Sequence, residues 1–169
     1  MIYPNFVDQY GLVNAIHAAG HTLHKLDSDI IVDDLTAVQA IVAAYDPLPL
    51  SQSEAKDAIK AASQEKRLEY VTDAPGKDAE YRAKQAEAIQ FEDDATVGVY
   101  MQSRMTATSE TAQQVADVWN AKATLWMSVG SSISAIEDKA VIDLDDKTDW
   151  TQCTVIAQAA VTGISNVTG

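Results

Sequence analysis

The chain has 169 residues, with 25 acidic side chains against 12 basic ones and a formal charge of -13. Phosphate backbones and anionic lipid surfaces are bound by clustered Lys and Arg, so this balance argues against nucleic acid or a membrane surface as a direct partner. A lone cysteine, Cys153, rules out an internal disulfide, and no stretch approaches the roughly 20 apolar residues of a membrane span.

The first twenty residues lack a basic start followed by an unbroken apolar run, so the expectation is a chain made in the cytoplasm. Phe6, Tyr10, Val13, Ile16 and His17 recur at three- and four-residue steps, which predicts a first helix that stops at Gly20. Ile30, Ile31 and Val32 are β-branched and Asp27-Ser28-Asp29 is turn chemistry, so one or two short strands follow. Asp33 or Asp34 can cap the next helix, whose stripe is Val38, Ile41, Val42 and Tyr45, because a short carboxylate accepts from the free amides of a first turn. The prolines of "DPLPL" (46–50) end that element. Residues 1–46 read as a small α/β head and 51–169 as a helical body.

From Ser51 onward Ala, Glu, Lys and Gln dominate, all strong helix formers, with Ser51 or Ser53 as the cap. Helices are expected over 51–72, 77–92, 95–106, 110–140 and 150–162. The first has a thin stripe of Ala55, Ile59, Ala62 and Leu68 with Tyr70. The "DAPG" at 73–76 stops it, and the second turns Tyr81, Ala88 and Phe91 inward, making a helical hairpin. Tyr100, Met101 and Met105 lead to Ser109 as a cap. Val115, Val118, Trp119, Lys122, Leu125, Trp126, Val129, Ile133, Ile136 and Ala140 then repeat at three and four, the strongest helical signal in the chain. The acidic "DLDDKTDW" reads as a loop, Cys153, Ile156, Ala157 and Ala160 face inward from a last helix, and "TGISNVTG" reads as a frayed tail. The predicted fold is mainly α: a helix-strand-helix N-terminal head followed by a multi-helix bundle with a hairpin.

Few constellations suggest chemistry. His17, His21 and His24 have the spacing of metal ligands on one helix, with Asp27 nearest to complete the set, but Gly20 interrupts that helix, and surface or junction histidines are the simpler reading. "DLDDKTDW" lacks the glycine and the bidentate acid of a calcium loop, since those places hold Thr148 and Thr154. No nucleophile elbow and no glycine-rich phosphate loop is present. Cys153 lies on an apolar stripe, where burial is simpler than nucleophilic catalysis. Tyr81, Trp119 and Trp126 form either an aromatic cage or ordinary core. No catalytic residue and no cofactor is expected. Tyr81, Phe91, Trp119, Trp126, Ile133 and Ile136 are the expected core and contact residues. Long, alanine-rich helices with thin apolar stripes bury little alone and gain stability by packing against copies of themselves or a larger partner.

Three stretches, "AVQAIVAAYDPL" (37–48), "YVTDAPGKDAEYRAKQAEA" (70–88) and "VWNAKATLWMSVGSSISAIEDKA" (118–140), together resemble small tail proteins of double-stranded DNA bacteriophages encoded near tail-fibre genes. The matching residues are Tyr81, Lys84, Glu87, Ala88, Trp126, Ala135, Ile136 and Glu137. The chain departs from that pattern at Asp138, which precedes the basic Lys139. The resemblance implies a non-enzymatic virion component of the tail, fibre- or baseplate-associated, made in the host cytoplasm and docked to other tail proteins and to copies of itself. A fibre-assembly chaperone absent from the finished particle is the alternative within that family. A small metal-dependent enzyme built on His17, His21 and His24 is the alternative outside it.

Overall fold

The computed structural model of the chain describes residues 9–26, 29–70 and 76–168. Among them are seven helices and one two-stranded sheet, so the protein is mainly α with the character of a helical bundle. In chain order these are α1 (Gln9–Ala18), β1 (Leu23–Leu26), β2 (Asp29–Val32), α2 (Leu35–Ala44), α3 (Leu48–Leu68), α4 (Lys77–Asp94), α5 (Val99–Thr108), α6 (Ala112–Asp145) and α7 (Thr151–Ser165). Phe6, the Asp27-Ser28 part of the expected turn and residues 73–75 of the expected stop lie outside the described residues.

The chain divides into two compact units, one comprising residues up to Ala58 with Val141–Gln158, the other Ile59–Ala140 with the residues from Ala159 onward. In the first, α1 ends in a Schellman motif. Gly20 takes a φ of +86°, its N–H donates to His17 O, and the His21 N–H donates to Ile16 O at 3.2 Å. A side chain at Gly20 would strain that left-handed turn. β1 and β2 pair antiparallel from Leu23↔Val32 to Leu26↔Asp29, leaving a two-residue connection. Asp34 caps α2, its carboxylate accepting from Ala37 N at 3.0 Å. The resulting core is Leu12, Ile16 and Val38, with Leu23, Ile41, Val42 and Tyr45 packed against it. The buried stripe of α1 is thus Leu12 and Ile16, while Val13 is half-buried and His17 is exposed.

The prolines at 47 and 49 do more than end α2. Asp46 Oδ1 accepts from Leu48 N at 2.9 Å, so α3 begins three residues before the expected Ser51, with Pro49 in a first turn whose amides need no helical partner. In the same unit the α3 side chain of Gln52 donates to Leu144 O at 2.7 Å, and Lys56 pairs with Asp145 at 2.5 Å.

Two stretches expected to be irregular are helical in part, 143–145 of the acidic loop and 162–165 of the tail, while 146–150 is loop as expected. α6 runs to Asp145, because Leu144 follows Ala140 by one turn and is fully buried, and this outweighs the local acidity. α7 runs to Ser165 with Ile164 fully buried, so the first four residues of the expected frayed tail are helix. Cys153, Ala157 and Ala160 continue the same buried stripe, and burial, then the nearby Asp149 charge, raise the Cys153 thiol pKa. The loop between them ends on Asp149, whose Oδ1 accepts from Thr151 N and Oγ1 at 3.0 and 2.8 Å and so caps α7. In α3 the buried positions are Ala55, Ile59 and Ser63, while Leu68, expected on the stripe, is exposed.

Ser63 carries a testable cost. It is fully buried, and among the described residues its hydroxyl has no hydrogen-bond partner. A desolvated, unpaired hydroxyl costs about 1–3 kcal/mol, so Ser63→Ala is expected to leave stability unchanged or raise it by up to about 1 kcal/mol in urea denaturation. A loss above about 1 kcal/mol would mean that the hydroxyl is satisfied in solution.

Candidate interaction surface

The second unit is built around Ala88 of α4, Met101 of α5, and Val115, Ala116 and Trp119 of α6, with Phe91, Met105, Ala112 and Val118 packed against them. α4 and α5 are locked by one carboxylate: Glu87 accepts from Tyr100 N at 3.1 Å and from Met101 N at 2.8 Å, satisfying two free amides of the first turn of α5. Gly98 makes room for it, since a Cβ there would lie 2.2 Å from Glu87 Cδ. α5 therefore starts at Val99 rather than at the expected residue 95. It ends at Ser109, which takes the left-handed cap with φ 64°. The cap of α6 is instead Thr111, in a capping box: its hydroxyl accepts from Gln114 N at 3.3 Å, and Gln114 Oε1 accepts from Thr111 N at 2.8 Å.

Charged side chains join the same elements. Lys77 Nζ donates to Glu80 Oε2 at 2.7 Å, and Lys84 donates to the other oxygen of that carboxylate. The Lys84 ammonium also lies 5.9 Å from the ring centroids of both Tyr100 and Trp119, so its charge faces two π systems. Arg104 grips Glu110 through two parallel bonds of 2.7 and 3.0 Å across the α5–α6 turn. Arg67 of α3 reaches Glu137 and Ser134 of α6 at 3.3 and 3.2 Å.

These contacts set a pH dependence. Hydrogen bonds from Lys77 and then Lys84 lower the Glu80 pKa to about 2, and those from Arg104 and then Thr108 lower that of Glu110 to about 2. Lowered carboxylate pKa values contribute stability above the unfolded value near 4.5, and the contribution is lost as pH falls toward 2. Urea denaturation at stepped pH is expected to show Glu110→Gln less stable than wild type at pH 7, with the gap closing between about pH 4.5 and 2. A gap that stays constant over that window would remove the ion pair as its cause.

Trp119 is core at 7% exposure, Ile133 is fully buried, and Phe91 and Ile136 are half-buried. Ile136 packs on α7, its Cδ1 lying 3.6 Å from where a Cβ at Gly163 would stand. Tyr81, expected to face inward, is exposed. Trp126 is 37% exposed although it shares a face with Trp119 and Ile133, each seven residues away. Around it α6 is bare: from Ala121 to Ser128 every residue except Ala123 is exposed, including Leu125, Trp126 and Met127. The packed stretches of the helix lie on either side of these two turns.

The histidines do not converge on one helical face. His17 is exposed on the last turn of α1, the left-handed turn at Gly20 follows, and His21 Nδ1 lies 3.3 Å from Asp33 Oδ1. His24 sits on β1, and its side chain is outside the described residues. Among the described residues no group of three or more His, Cys, Asp or Glu side chains is placed to hold a metal ion, and no helix is long and apolar enough to cross a membrane. The chain matches no protein-family model, no curated protein and no solved structure.

Proposed function

We propose that this protein is a non-enzymatic structural component of a bacteriophage tail, attached to fibre or baseplate by docking of its helical surface to other tail proteins and to copies of itself. The observation that carries the docking reading is the bare span of α6, where Leu125, Trp126 and Met127 stand exposed in the middle of an otherwise packed helix. Large apolar side chains in water gain from being covered, and aromatic anchors of this kind dominate interface energetics. The tail as the place of docking rests on the residue resemblance of segments 37–48, 70–88 and 118–140.

Mass spectrometry of purified particles of the encoding phage tests it. The chain is expected among the particle proteins at a fixed copy number, and Leu125→Asp is expected to fold yet be under-incorporated. Absence from the particle, together with association with fibre protein in infected cells, would replace this reading with that of an assembly chaperone.

A further inference from the structure

We draw no further inference here: the strongest candidate, the exposed apolar patch of Leu125, Trp126 and Met127 midway along α6, belongs to the docking reading already given, and nothing in the structure shows what covers it.

Discussion

Replacing Trp119 by Ala is expected to destabilise the protein by about 3–5 kcal/mol, the range for removing a large aromatic side chain from a packed core. Trp119 packs with Ala88, Met101, Val115 and Ala116 and has the Lys84 ammonium 5.9 Å from its ring centroid, so a truncated side chain leaves a cavity that three helices would have to shift to fill. Trp126→Ala gives the contrast. It has the same chemistry and lies on the same helix face two turns on, but part of its surface is already in water, so its loss is expected to cost about 1–2 kcal/mol. Urea denaturation of the two variants side by side is the measurement. Equal losses would mean that Trp126 is covered in the isolated chain and would remove the physical basis for docking there.

The second large effect is at Gly98. Its φ of -79° and ψ of 175° suit any residue, so alanine there meets no backbone strain; what it meets is Glu87. The carboxylate would have to withdraw from Tyr100 N and Met101 N, and loss of a cap costs about 1–2 kcal/mol. Glu87→Ala removes the same bonds and is expected to cost a similar amount. In the double variant the costs should not add, since Gly98→Ala has nothing left to displace once Glu87 is gone. A double-mutant cycle with no coupling would show that the clash is relieved elsewhere and that Glu87 is not the cap.

Which parts of this were legible in the sequence follows from the range of the interactions. The stop at Gly20, the cap at Asp34 and the long stripe of α6 depend on neighbours within four residues, and such signals stand in the chain order itself. The Thr111–Gln114 capping box is equally local, but Ser109 offers the same capping chemistry two residues earlier, so the sequence alone does not choose between them. The Glu87 cap joins residues 13 and 14 apart and leaves no periodic trace. Leu144 was obscured because acidic neighbours look like loop, although burial of one leucine outweighs solvated aspartates that need not move inward. Tyr81 was misplaced because α4 has only Ala88 fully buried, so its weak pattern could not fix which side faces in. For Trp126 the period correctly marks the core-facing side of α6. Whether another element reaches that side is a question of tertiary packing, which periodicity does not encode.

The interleaving of the two units bears on how the chain is made. Each draws on residues from both sides of the sequence, and Ile164, buried in the last helix, belongs to the unit that begins at Ile59. A ribosome delivers residues in order, and domains ordinarily fold as they emerge. Here neither unit has its full set of residues until α7 has been synthesised, so neither core can be completed while only the chain up to α6 has emerged. Truncation within α7, before Ile164, would leave the second unit without one of its fully buried side chains.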